Sequence, residues 1–216
     1  MEDVRQWHRD VRVEKALKAL KKNGFATLLV SSKKEATDKI LEIIPEGVLV
    51  GLGGSLTVRE IGLPAALTER GNRVADHWEA VERKAPPEEI AKIRKLHPNS
   101  DVFVCSTNAL TEEGELVNID GAGQRVAAMI YGPGKVIVVA GVNKIVRDLD
   151  EAIDRVRDYA APINARRLNK KTPCATGGYC TDCDSPERIC NITTIIHKKP
   201  QIADITVVIV EEELGY

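Results

Sequence analysis

Aromatic residues are scarce in this chain, at 4% of 216 residues. A core must therefore be aliphatic, built from Val, Ile, Leu and Ala. The 43% hydrophobic content suffices for one sizeable core, or a core with a small appendage. Long apolar runs are also missing. No stretch approaches the roughly 18 consecutive apolar residues that a membrane span needs. The opening Met1-Glu2-Asp3-Val4-Arg5 carries both signs of charge and lacks the apolar centre of a signal peptide. The chain is accordingly expected in the cytoplasm. Neither sign of charge dominates, since 31 Lys and Arg face 32 Asp and Glu, a net charge of -1. That balance offers no electrostatic reason to expect nucleic acid or an anionic membrane as partner. Internal repeats and low-complexity segments are absent.

What is present alternates between strands and helices. Val4, Trp7, Val11, Leu17 and Leu20 recur on helical spacing, ended by Asn23-Gly24. Phe25 to Val30 reads as a strand. Ser32 caps a second helix that Pro45 stops, and Val48-Leu49-Val50 is a further strand. Ser55 opens a third helix, to about Arg70. Arg73–Ala75, 101–106, 136–140 and 205–210 read as strands, 86–96 and 147–159 as helices. Between them, 109–129 has turn signals at Glu112-Glu113-Gly114 and Asp120-Gly121-Ala122-Gly123, which predict a hairpin-like excursion. The strand candidates are apolar without alternation, as in strands buried on both faces. The pattern predicts one α/β domain over 1–216, with a mostly parallel sheet covered by helices. Residues 161–192 break the pattern and are expected to form a cysteine-rich insertion within it.

Three places carry chemistry. The run Gly51-Leu52-Gly53-Gly54-Ser55-Leu56-Thr57 is strand, glycine turn, helix start. Such a turn lets backbone N–H groups approach an anion, with Ser55 and Thr57 as hydroxyl donors. It is neither a dinucleotide fingerprint, having Leu56 where glycine is needed, nor a Walker A loop. The plainer reading is a turn in which Ser55 caps the helix. The second place is the polar excursion, where Asn108 follows a strand end and Glu113 or Asp120 could act as acid or base, unless both sit on an exposed hairpin. Asn143 and Lys144 end the next strand, and Lys144 could neutralise an anionic substrate or cap a helix. Carboxylate or phosphate is the expected guest.

The third place is Cys174, Cys180, Cys183 and Cys190, spaced C-x5-C-x2-C-x6-C around Gly177-Gly178. A cytosolic chain of this size has no need of disulfides, so the cluster points to metal. Four thiolates suit an iron–sulfur cluster, [4Fe-4S], or tetrahedral zinc. Arg188 and Lys170-Lys171 would offset thiolate charge. Cys105, alone in a strand, reads as a small buried hydrophobe. His8, His77, His97 and His197 have no ligand spacing and read as surface or capping residues, although His77, before Trp78, could lie near the cleft; Trp7 and Trp78 read as packing anchors.

The glycine run, Asn108 to Asn118 (NALTEEGELVN), Arg125 to Met129 (RVAAM) and Val138 to Lys144 (VVAGVNK) together resemble the lactate-utilisation (LUD) family, over nearly the whole chain. The resemblance implies a fold similar to the sugar-phosphate isomerase and CoA-transferase superfamily, in which a glycine loop after a strand holds phosphate or an acyl group. It also implies a part in oxidising L-lactate to pyruvate alongside iron–sulfur partner subunits. Two alternatives stay open: a metal-independent sugar-phosphate isomerase or CoA-transferase-like enzyme, and a non-catalytic accessory subunit.

Overall fold

The computed structural model describes residues 3–216, so Met1 and Glu2, the start of the charged opening stretch, lie outside the described residues. Asp3 caps helix α1 (Val4–Lys22) by accepting from the Arg5 and Gln6 backbone N–H groups. Val13, Ala16 and Leu20 of α1 are buried, whereas Val4, Trp7 and Val11 are exposed. The expected single apolar face is thus two stripes. At about 100° per residue, the set 4-7-11 lies on the opposite side of the helix from 13-16-20. Trp7, at 53% exposure, is not a packing anchor.

Strand β1 (Ala26–Val30) leads to α2 (Lys33–Ile43), capped by Ser32 as expected. Strand β2 (Leu49–Leu52) runs into the glycine turn. The helix that follows is shorter than expected: it breaks at Ile61-Gly62 into α3 (Leu56–Glu60) and α4 (Leu63–Glu69). Then come β3 (Arg73–Asp76), α5 (His77–Glu82), α6 (Pro87–Leu96) and β4 (Val102–Cys105). The excursion is a hairpin only in its first half, β5 (Ala109–Thr111) and β6 (Leu116–Asp120). Its second half is helix α7 (Gln124–Ile130). The Asp120 carboxylate accepts from the Ala122 and Gly123 N–H groups and turns the chain into that helix. The chain continues through β7 (Lys135–Gly141), β8 (Ile145–Val146) and α8 (Leu149–Arg155). A π-helical turn over Val156–Ala160 joins α8 to α9 (Ala161–Arg167), and the short α10 (Pro173–Gly177) follows. Residues 161–177 are therefore largely helical, and the irregular stretch is 178–191. It feeds β9 (Ile192–Ile196), a strand the sequence pattern did not reveal, and then β10 (Ile205–Val210).

Six parallel strands form the main sheet in the order β1-β10-β7-β4-β2-β3. The last strand lies in the interior of the sheet, pairing β1 on one side and β7 on the other. Successive residues point to opposite faces, and both faces are apolar. Phe103, Cys105, Val136, Val138 and Val207 meet α1 and α7 on one side. Val102, Val104, Ile137, Val139 and Val208 meet α2, α3 and α4 on the other. This explains the continuous apolar runs. A second sheet, β8-β5-β6-β9, packs with α1 on the first face and is backed by α8. No helix among the described residues is long and apolar enough to cross a membrane.

Phe103 is the largest fully buried side chain and touches the His97 ring, with centroids 5.4 Å apart. Phe103→Ala is expected to lower unfolding free energy in urea by about 3–5 kcal/mol. Leu29→Ala, at a 43% exposed position on an edge strand, should change it by only about 0.5 kcal/mol. Equal effects would contradict this core.

Candidate functional site at the carboxyl ends of the parallel strands

Strands β2, β4, β7 and β10 all deliver their following residues to one end of the sheet. Open α/β sheets bind ligands at this end. Lys144, just after β7, lies in the middle of it and is 3% exposed. Its Nζ lies 2.8 Å from Thr57 Oγ1, 2.9 Å from Ser106 Oγ and 3.3 Å from the Thr107 carbonyl. Among the described residues no carboxylate stands within ion-pair distance of it. Burial lowers its pKa to about 7, and the positive charges of Arg155 and Arg125 push the same way.

Arg125, part-buried, ties the surrounding elements together. It donates to Asp120 Oδ2, to the Ser106 and Ile119 carbonyls, and to Asn118 Oδ1 and Asn108 Oδ1. Arg155, mostly buried, donates to the Asn143 and Asn108 carbonyls. Burial lowers its pKa from the usual guanidinium value. Neither arginine was singled out as a site residue in the sequence, although Arg125 sits in the RVAAM run. An arginine near a helix end carries no signal until the fold shows what it clamps.

The segment after β10 closes the site. Leu214 N–H donates to Asn143 Oδ1 at 3.0 Å and Gly215 N–H to Glu60 Oε2 at 2.7 Å, while Tyr216 OH bonds Asn164 Oδ1 at 2.9 Å. Gly215 passes so close that a Cβ there would stand 2.6 Å from Thr57 Oγ1 and 3.5 Å from Lys144 Nζ. Beside this segment lies a cavity of about 330 Å³, lined by Arg5, His8, Arg9, Arg12, Asn143 and Glu213.

The structure thus brings together Thr57, Asn108, Asn143 and Lys144 with Asp120, which reaches them through Arg125. It separates Glu113, which lies at the β5–β6 turn against α1, lining a different cavity with Lys15 and Lys18. Asp120 is 8% exposed, and its two oxygens are held by Arg125, Ala122 and Gly123. The glycines Gly51, Gly53 and Gly54 have packing reasons to be glycine. A Cβ on Gly53 would lie 2.8 Å from the Cys105 Cβ; on Gly54, which has φ +71°, it would collide with the Trp78 ring. Trp78 covers the turn, and the Arg167 guanidinium stacks on it, 4.4 Å from the ring centroid. Ser55 uses its Oγ to cap α3. Of the glycine run, only Thr57 reaches Lys144.

His77 and His97 are buried, contrary to the surface or capping role expected of them. Their rings are 5.2 Å apart beneath the glycine turn, with His97 against Phe103 and His77 beside Trp78. The turn between α6 and β4 carries His97 inward, an outcome that spacing along the chain does not encode. Burial lowers their pKa values, to about 3 for His77 and about 4 for His97.

The four clustered thiols are unpaired. Asp182, with φ +46°, turns the Cys180–Cys183 loop and donates its N–H to Cys180 Sγ at 3.4 Å. Arg188 donates to the carbonyls of Cys183 and Cys190. Burial raises the Cys190 thiol pKa; Arg188 opposes that shift, and Cys180 and Cys183 add to it. Cys174, in α10, lies 3.3 Å from the Thr172 hydroxyl. The loop reaches the strand-end site at β6: Asn191 bonds the Asp120 and Gly121 carbonyls. The all-sulfur donor set, a turn with N–H···S bonding and a nearby guanidinium fit a thiophilic metal. Among the described residues, however, no three ligating side chains are gathered closely enough to hold an ion.

The model of the LUD domain matches residues 13–210. This chain belongs to the LUD-domain family. A DUF162 family protein from Deinococcus radiodurans shares the fold, with a TM-score of 0.53 and 14% identity over 94% of this chain and 98% of that one. Partial likenesses extend to eIF2B beta from Chaetomium thermophilum (TM-score 0.38, 15% identity, 55% of this chain and 44% of that one). They also extend to ribose 5-phosphate isomerase A from Neisseria gonorrhoeae (0.33, 18%, 54% of each). No curated protein matches the chain.

The two histidines make stability depend on pH in a defined direction. Folded, they resist protonation down to about pH 4 and about pH 3; unfolded, they take up protons near pH 6.5. Their contribution is complete above pH 6.5 and is lost as pH falls toward those values, at up to about 1.4 kcal/mol per pH unit per histidine. Urea midpoints should therefore drop from pH 7 to pH 5, and His97→Phe should remove about half of that slope. An unchanged slope in the variant would show that the pair is not the cause.

Proposed function

We propose that this LUD-domain protein binds a small hydroxy- or oxo-carboxylate at Lys144 and serves as the iron–sulfur-associated component of oxidation of lactate, or a related hydroxy acid, to the oxo acid. The observation that carries this reading is the buried ammonium of Lys144 without a carboxylate partner. Charges taken out of water are normally paired. Here Asp120 balances Arg125, while Lys144 and Arg155 are left in excess at the strand ends. A substrate carboxylate restores the balance, and the arginine- and histidine-lined cavity beside Asn143 favours the approach of an anion. Thr57 and Ser106 hydroxyls orient it, and the Leu214–Tyr216 segment excludes water.

The four cysteines Cys174, Cys180, Cys183 and Cys190 would hold a [4Fe-4S] cluster, with zinc as the alternative. When bound, the cluster supplies one-electron transfer. Iron–sulfur partner subunits would complete the chain of carriers, and unpaired thiols accord with a cytoplasmic location. The isomerase-type alternative needs a carboxylate base beside Lys144; Asp120 is fully engaged by Arg125, Ala122 and Gly123, and Glu60, which faces Lys144, accepts from the Gly215 N–H.

In calorimetric titrations with L-lactate and pyruvate, Lys144→Gln should weaken binding about tenfold or more, equivalent to about 1.4 kcal/mol, and Ser106→Ala should weaken it less. Unchanged affinity in a folded Lys144→Gln protein would overturn the assignment of the site. Anaerobically prepared protein should be brown, with iron and sulfide in equal amounts, and lose both when the four cysteines are replaced by serine. A colourless protein with stoichiometric zinc would contradict the cluster.

A further inference from the structure

We propose that Lys144 Nζ condenses with the carbonyl of a small α-oxo acid to give a protein-bound imine. The proposal rests on the binding reading above and assigns a covalent step to the same site.

The surroundings of Nζ suit an amine that changes protonation state. Its partners are two hydroxyls and one peptide carbonyl. A hydroxyl accepts from an ammonium and donates to an amine, whereas a carboxylate would hold the proton in place. The charged and titratable groups that face it are Arg155, Arg125, Glu60 and Cys105. Two of these are cations, and the Glu60 carboxylate accepts from Gly215 N–H. Cys105 is fully buried and its thiol is pushed up to about 12, so it contributes no charge at neutral pH. A desolvated lysine beside other cations is the kind that supplies free amine near neutrality.

Access is built into the fold. A glycine passes over Nζ, and the segment carrying it is fastened by Asn143, Glu60 and Asn164 side chains. Leu214 stays anchored in the core; lifting Gly215 and Tyr216 exposes the amine beside the cationic cavity that reaches Asn143.

The step balances without an oxidant. The Nζ lone pair attacks the carbonyl carbon, the carbonyl π pair moves to oxygen, and that oxygen takes one proton from solvent and a second from Nζ. The carbinolamine then loses water to give the iminium, and water reverses the sequence. The iminium nitrogen is a cation, so the substrate carboxylate has a counter-charge in the bound imine.

The test is reductive trapping on the full chain with pyruvate and cyanoborohydride, read by intact mass and peptide mapping. The expected result is one adduct, of the mass of pyruvic acid less one oxygen atom, at Lys144. It should form about tenfold faster than at any surface lysine, be suppressed by L-lactate, and be absent in Lys144→Arg. Asn164→Ala, which frees Tyr216, should speed it. An unmodified Lys144 in protein whose surface lysines are labelled overturns the imine. If calorimetry still shows pyruvate binding, the imine alone fails; if binding is absent as well, the binding reading fails with it.

Discussion

The functional end of this molecule depends on one buried ammonium held by hydroxyls rather than by a carboxylate. Removing a lysine from water disfavours its charge, and the protein deepens that effect by pointing Arg125 and Arg155 toward the same place. The arrangement is sustained because the elements around Lys144 are fixed independently of it. Arg125 joins the end of β4 to β5, β6 and α7 through five acceptors. Thr57 is set by the first turn of α3, and the Leu214–Gly215 stretch by β10, which is locked between β1 and β7. The site is the meeting point of four parallel strands, and a parallel sheet covered on both faces leaves its strand ends as the natural opening.

Much of the fold was legible because its signals are local. Continuous aliphatic runs such as Val136–Ala140 and Ile205–Val210 declare strands buried on both faces, and Ser32 and Pro45 bound a helix without ambiguity. The failures have local causes too. On α1, two apolar stripes on opposite sides share one helical spacing, so Val4, Trp7 and Val11 repeat as a face does without being the face that meets the sheet. The expected hairpin over 109–129 hides the start of α7, since the Asp120 turn that starts a helix resembles a turn between strands. Strand β9 is half exposed, follows an irregular stretch and gains its identity only by pairing with β6.

The candidate site was legible in its parts. Thr57, Asn108, Asn143 and Lys144 could be named because they follow strands, and their convergence is set by sheet order. Arg125 and Arg155 could not, because a clamp is defined by what it holds. The glycines illustrate the opposite difficulty. A loop of bare backbone after a strand reads as an anion cradle, and the fold adds a packing reason for the same glycines, since Cys105 and Trp78 fill the space that side chains at Gly53 and Gly54 would need. The burial of His77 and His97 follows from a turn that brings two distant residues together, which spacing along the chain does not encode.

The central claim is that Lys144 is an amine in equilibrium with its ammonium near neutral pH. Its direct measurement is an NMR titration of the lysine side chains in protein labelled with carbon-13, with the Lys144 resonance assigned by its loss in Lys144→Arg. A midpoint near pH 7, well separated from those of the surface lysines, is the predicted result. A midpoint close to the ordinary lysine value, about 10.4, would mean that the site keeps its charge, and would contradict the account.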